Sequence, residues 1–214
     1  MFYGNELYDY LALGALWTAY LAVHSAMISS AFTEFLSRKL GDRYRYYRIF
    51  FNAFAVAALV PLLLFSGSVK GEVFFKWEGN VVFVRYAMLA LGVGLFIAGG
   101  RHYNMKVFFG IKQAREGVAH GLLNRSGRLD SSGILGLIRH PFYSGVIVLI
   151  WARDLDAARL IVSCIITLYV IIGTYLEEKK LIGEFGDVYI EYREKVSMFI
   201  PLKYIKRRLF LSPV

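Results

Sequence analysis

Arg139-His140-Pro141-Phe142-Tyr143-Ser144-Gly145-Val146-Ile147-Val148-Leu149-Ile150-Trp151 opens on polar residues and then runs apolar without a break. Downstream, a second apolar run, Leu160 to Leu176, ends abruptly on Glu177-Glu178-Lys179-Lys180. The two segments read as a hairpin in lipid, with ionisable groups at both of its open ends. Such groups are expensive beside hydrocarbon, so their presence there marks a functional site until shown otherwise.

Working outward, further apolar runs cover Leu7 to Ser29, Tyr46 to Ser66 and Val81 to Gly100. Each approaches the roughly 20 residues needed to span a bilayer. Phe142 to Trp151 is shorter and predicts a tilted helix or a half-span. The composition agrees: 57% of the 214 residues are apolar and 16% aromatic, and the mean hydropathy is +0.49, well above the needs of a soluble core. The sequence therefore predicts an all-α integral membrane bundle of about five transmembrane helices, with a helical, cytoplasmic C-terminal region. One domain covers 1–214, with N-terminal spans in 1–100 and a ligand-binding core in 101–214. Pro61 falls inside the second span, where neighbouring helices can re-satisfy the freed carbonyl.

A net charge of +9 raises the question of nucleic acid, but the cations are interleaved with spans and form no soluble patch. Arg38, Lys39, Arg43, Arg45 and Arg48 lie between spans one and two. Arg101, Lys106, Lys112, Arg115, Arg125, Arg128 and Arg139 lie between spans three and four, and eight more cations follow span five. The opposite loops hold only Lys70, Lys76, Arg85, Arg153 and Arg159. By the positive-inside rule the N-terminus is outside, the C-terminus is cytoplasmic, and both polar ends of the hairpin share the cytoplasmic face. Membrane lipids are the partners this pattern predicts; nucleic acid is not. The start of the chain lacks a basic n-region and a small-residue cleavage site, so span one is expected to be retained.

Phe32, Phe35, Leu36 and Leu40, interleaved with Glu34, Arg38 and Lys39, predict an interfacial amphipathic helix after span one. His24 near the end of that span is either paired to a neighbouring helix or part of a substrate pocket. Asn104 to Gln113 is helical in pattern. The single Cys164 sits in an apolar span, expected to be buried and inert, and it excludes a disulfide framework or a zinc set. Gly92-Val93-Gly94 lies in a span and reads as close helix packing.

His140 precedes a proline suited to the first helical position, so it sits at the mouth of the fourth helix. Free amides there favour an anion, and Arg139 could hold a carboxylate in a two-pronged grip. Glu177 and Glu178 project about 100° apart on one helix, so only one can face a given pocket, leaving the other to solvent or lysine. A carboxylate, an arginine, aromatic rings and a helix N-terminus suit a ligand with cationic and anionic ends, as S-adenosylmethionine has.

These residues resemble the isoprenylcysteine carboxyl methyltransferase superfamily of integral membrane methyltransferases. The shared pattern is Arg139-His140-Pro141 with Tyr143 and Gly145, then Glu177-Glu178 with Leu181, Phe185-Gly186 with Tyr189 and Tyr192, and Ile200-Pro201. Phe109 to Gln113 and Trp151 are most similar to the thiol methyltransferase branch, and His24-Ser25 is similar to NnrU-like proteins. The resemblance implies S-adenosylmethionine as cofactor and a small-molecule or lipid-like methyl acceptor arriving from the bilayer. It implies cofactor contacts from Gln113, Leu135, His140, Pro141, Tyr143 and Glu177, with backbone contacts from the loop around Arg128 to Asp130. Arg139 and Glu178 become candidate catalytic residues and His24 a candidate substrate residue; no metal is implied. At Leu135 relatives place a tyrosine. At Gly173 the prenylcysteine enzymes place an arginine for the acceptor carboxylate, so a thiol or neutral acceptor suits this chain better. Two alternatives stay open: an NADPH-dependent membrane reductase related to sterol reductases, and a non-enzymatic NnrU-like membrane protein.

Overall fold

A computed structural model describes residues 3–69, 71–117 and 129–210. Arg125, Arg128 and Lys70, counted above for charge or contacts, lie outside the described residues. Among the described residues the chain is helical, with only two isolated β-bridges. It is an all-α membrane protein. Four helical stretches, Glu6–Ile28, Ser30–Ser68, Gly79–Gly100 and Ala157–Phe185, are long and apolar enough to cross a bilayer. The expected fourth span is Pro141–Trp151, whose 11 residues reach about 16 Å, half of a hydrocarbon core. The five expected apolar helices are thus present as four long enough to span and one half-span.

The chain forms two compact units that interleave in sequence: 1–76, 105–122 and 154–166 in the first, 77–104, 123–153 and 167–214 in the second. In the first unit, α1 (Tyr3–Ile28) packs on α3 (Tyr47–Ser68). Polar side chains on these helices find partners on the neighbour, as lipid requires. Trp17 Nε1 donates to Ser66 Oγ at 2.9 Å, Tyr20 Oη to the Ala55 carbonyl at 3.2 Å, and Tyr47 Oη to the Met27 carbonyl at 2.7 Å. The helix α3 runs on through Pro61.

Between them lies α2 (Ser30–Leu40), capped by Ser29 Oγ, which accepts from Phe32 N. Its Phe32, Phe35 and Leu40 are exposed and its last turn carries Arg38 and Lys39, the pattern of the interfacial helix read from the sequence. Two short helices, α5 (Met105–Phe108) and α6 (Ile111–Glu116), are separated by Gly110 at φ +81°. A Cβ there would come within 2.7 Å of Arg48 Cβ, so glycine serves both the left-handed turn and the close approach. Asn52 Nδ2 donates to the Phe108 carbonyl at 3.1 Å and fixes that approach.

In the second unit, α4 (Val82–Gly100) packs along α7 (Pro141–Trp151). Small residues make the approach possible. A Cβ on Gly92 would lie 2.6 Å from Leu149, and one on Gly145 would lie 3.0 Å from Phe96. Gly94 faces open space, so only the first glycine of Gly92-Val93-Gly94 does the packing. The long α8 (Ala157–Phe185) passes through both units and carries Glu177-Glu178 beyond its apolar section. Cys164 on this helix is exposed rather than buried. An apolar stretch in a membrane helix does not distinguish the side facing lipid from the side facing protein, because both are apolar.

After α8, Gly186 at φ +57° turns the chain into α9 (Asp187–Lys195). An extended strap then leads to α10 (Leu202–Phe210). Leu181, Tyr189, Tyr192 and Val196 form a buried cluster, with Leu129, Ile182 and Phe185 packed against it.

Candidate active site

The strap joins the chain's separate motifs. Arg139 N donates to the Ser197 carbonyl at 2.9 Å and His140 N to the Met198 carbonyl at 3.2 Å. Ser144 Oγ donates to the Phe199 carbonyl at 3.0 Å. The start of α7 is thereby pinned through backbone atoms, with His140 as its N-cap residue and Pro141 at its first turn.

Beneath lies a buried ionic network. Arg139 Nε and Nη2 contact Glu178 Oε1 at 2.7 and 2.6 Å. His140 Nε2 lies 3.1 Å from the same oxygen, and Arg193 Nε lies 3.1 Å from Oε2. Arg139 Nη1 also donates to the carbonyls of Val196 and Arg193. The side chains of Arg139 and Glu178 are 6% and 2% exposed. The sequence reading aimed Arg139 at a ligand carboxylate; the carboxylate it holds is that of Glu178. Glu178, a candidate catalytic residue from the sequence, is among the most buried side chains of the described residues. A buried charge demands a paired counter-charge, and the network supplies it.

Above the network is a narrow cleft lined by Tyr103, Leu129, Asp130, Leu135, Arg139, His140, Glu177, Leu181, Tyr189 and Tyr192. Its polarity is acidic. Glu177 Oε2 is buried without a hydrogen bond, and His140 Nδ1 stands 3.9 Å away. Asp130 accepts from His102 Nδ1 at 2.9 Å, Ser132 N at 3.0 Å and Ser132 Oγ at 2.7 Å. Burial pushes the Asp130 carboxyl up, but these hydrogen bonds outweigh it and hold the group down at about 2, so it is ionised at neutral pH. Burial, reinforced at Tyr103 by the charge of Glu177, raises the phenols of Tyr103, Tyr189 and Tyr192 above their ordinary range. They stay neutral and act as ring faces and donors. Tyr192 Oη donates to the Leu135 carbonyl at 2.6 Å, and the His140 ring stacks on Tyr143 at 5.6 Å.

Of the residues singled out in the sequence, Leu135, Arg139, His140 and Glu177 line this cleft together. Tyr143 and the buried Pro141 flank His140, and Glu178 supports it from below. Gln113 on α6 and His24 on α1 belong to the first unit and are not among the lining residues. His24 packs against Phe51 with ring centroids 5.0 Å apart, and Gln113 has a buried Oε1 without a hydrogen bond. Tyr103 and His102 were not singled out; Tyr189 and Tyr192 entered only through the family pattern, and Asp130 only as part of a loop lending backbone contacts. The signal for the tyrosines was present, since Tyr189 and Tyr192 are three residues apart and so share a helix face. Among the described residues no group of three or more His, Cys, Asp or Glu is placed to hold a metal ion.

No family model and no solved structure matches the chain. Curated proteins that it is similar to are methyltransferases. A methanethiol S-methyltransferase of Pseudomonas sp. (strain GM41(2012)) is 31% identical over 54% of this chain and 44% of its own length. Methanethiol S-methyltransferase 1 of Bradyrhizobium diazoefficiens is 45% identical over 30% of this chain and 23% of its own length. A protein-S-isoprenylcysteine O-methyltransferase of Schizosaccharomyces pombe is 29% identical over 58% of this chain and 52% of its own length. The chain therefore spans about half or less of the length of these relatives. They support the resemblance read from the motifs, to the isoprenylcysteine carboxyl methyltransferase superfamily on its thiol methyltransferase side.

Proposed function

We propose that the chain is an S-adenosylmethionine-dependent integral membrane methyltransferase acting on a thiol or carboxylate of a small or lipid-like acceptor. The observation that carries this reading is Glu177 Oε2, a buried carboxylate oxygen without a hydrogen bond, in a cleft with a second carboxylate and three neutral tyrosine rings. Such a lining fits a cation-bearing ligand. The cofactor supplies an electrophilic methyl group on a sulfonium centre. All of the cleft's lining residues fall within 101–214, in keeping with a cofactor-binding core there.

The chain's own residues have distinct tasks. Glu177 and Asp130 would hold the cationic and hydroxyl groups of the ligand, and the tyrosine rings would favour positive charge. Glu178, bound by Arg139, orients His140. When His140 Nε2–H donates to Glu178, Nδ1 is left as an acceptor beside the cleft. It can hold a ligand proton or take one from a thiol. Binding and orientation then account for most of the catalysis, because a thiolate needs only an in-line approach and exclusion of water.

Gly173 brings no cation to hold an acceptor carboxylate, which favours an acceptor without one, and the thiol in the relatives' names supports the same choice. The charge asymmetry of the loops supports a cytoplasmic site and C-terminus with the N-terminus outside. Calorimetry with S-adenosylhomocysteine tests the reading. Wild type should bind, and Glu177→Ala and His140→Ala should lose at least tenfold in affinity. Unchanged affinity in both variants, or stabilisation by NADPH alone, would reject it.

A further inference from the structure

The last described helix, α10, has a part in the molecule that the proposed chemistry does not use. At about 100° per residue, Leu202, Ile205 and Leu209 fall in one arc of about 60°. These side chains are 63%, 44% and 71% exposed, and Ile200 just before them is 62% exposed. Lys206 borders the arc on one side and Arg208 on the other. No acidic residue occurs from Leu202 to Phe210.

The opposite side of α10 is already in use. Lys203 Nζ donates to the Arg193 carbonyl and Arg207 Nη2 to the Lys195 carbonyl, both at 2.5 Å. Those carbonyls end α9, where the helix dipole is negative and cations are favoured. Lys203 N also donates to Ser197 Oγ at 2.9 Å. Two cations therefore clamp α10 to the chain, and the exposed apolar stripe is bordered by Lys206 and by Arg208, whose guanidinium lies 5.8 Å from the Tyr204 ring centroid.

We propose that α10 docks flat on an anionic lipid leaflet, its apolar stripe in the headgroup boundary and Lys206 and Arg208 on lipid phosphates. Charge complementarity selects this occupant. The helix offers cations and no anion, and it follows a chain whose α8 is itself long and apolar enough to span. An amphipathic helix of this composition binds by buried apolar area plus attraction to anionic lipid. Docking also reaches the site. The strap before α10 supplies the carbonyls of Ser197, Met198 and Phe199 to Arg139, His140 and Ser144. Anionic lipid thus steadies the backbone that holds His140, so the methyl-transfer reading can fail while this inference stands.

The test is amide hydrogen exchange on the full chain in nanodiscs of phosphatidylcholine alone or mixed with phosphatidylglycerol. Each engaged cation is worth about fivefold near an anionic surface, so α10 amides should exchange roughly 25-fold more slowly with phosphatidylglycerol. Lys206→Gln with Arg208→Gln should remove that difference, as should high salt on the wild-type protein, which serves if the variant folds poorly. The Arg139 and His140 amides should slow in parallel. Equal exchange in the two lipids, protection by inorganic phosphate in neutral discs, or protection that needs a soluble protein partner would each overturn the proposal.

Discussion

Glu178→Gln is the sharpest single perturbation of the ionic network. The substitution keeps volume and an acceptor oxygen but removes the charge that Arg139 meets at 2.6 and 2.7 Å and Arg193 at 3.1 Å. Because Arg139 is only 6% exposed, water cannot replace the lost partner. Removing one member of a buried ion pair costs about 3–5 kcal/mol, mainly through the charge left behind. Summing the separate contacts would give more, but they share one carboxylate and are not additive. For a chain of this size that loss corresponds to a fall of roughly 6–20 °C in denaturation midpoint, measured by circular dichroism in detergent. Pairing Glu178→Leu with Arg139→Met should recover only part of it, because the Val196 and Arg193 carbonyls then lose their donor. Glu191→Gln breaks the exposed Lys195 pair and serves as a control with little effect. A Glu178→Gln protein as stable as that control would refute the network as a structural element.

The remaining predictions concern packing, pH and a buried hydroxyl. Gly145→Leu forces side-chain atoms into Phe96 and the Gly92 carbonyl, at 3.0 and 3.2 Å from the first added carbon, and should cost about 1–3 kcal/mol by overpacking α4 against α7, read as a lower denaturation midpoint. Asp130 is depressed from 3.8 to about 2, so its contribution is present above pH 3.8 and lost as pH falls through 2. The full shift would be worth about 2.5 kcal/mol, but with 37% of the side chain exposed screening reduces it to below about 1 kcal/mol; acid titration of wild type against Asp130→Asn should show the two curves converging below pH 3.8. Tyr192→Phe leaves the buried Leu135 carbonyl without its 2.6 Å donor and should lower stability by about 1–2 kcal/mol in the same denaturation assay.

Hydropathy made the long helices legible, because a span must be apolar over its whole length and few soluble segments are. The polar box at the start of α7 and the carboxylates at the end of α8 were legible for the complementary reason, that charge near lipid needs a cause. Orientation around each helix was not legible. Cys164 was expected inside and faces outward, since in a membrane both faces of a span are apolar. Glu178 in Glu177-Glu178-Lys179-Lys180 has the local pattern of a solvated helix end, and only its ion pair with the distant Arg139 makes burial affordable. The strap from Val196 to Phe199 was silent for a similar reason. It acts through carbonyl oxygens, which every residue carries, so side-chain identity gives no sign of the bonds to Arg139 and His140.

The adjacent carboxylates show how one sequence feature yields two functions. Helix geometry sets Glu177 and Glu178 about 100° apart, so they cannot share an environment. Glu178 points into the network, where Arg139 and His140 hold Oε1 and Arg193 Nε lies 3.1 Å from Oε2 as an ion pair without a hydrogen bond; further ligand contact would have to break a buried ion pair. Glu177 is 32% exposed and keeps an oxygen without a hydrogen bond, so a ligand cation can reach it at little structural cost. The two variants should therefore separate in kind. Glu178→Gln should lower the denaturation midpoint first and weaken ligand binding as a consequence, whereas Glu177→Gln should leave the midpoint nearly unchanged and weaken S-adenosylhomocysteine binding directly. Equal effects of both on stability would mean that the carboxylates share one task, and the cleft would lose its best candidate for a ligand-facing charge.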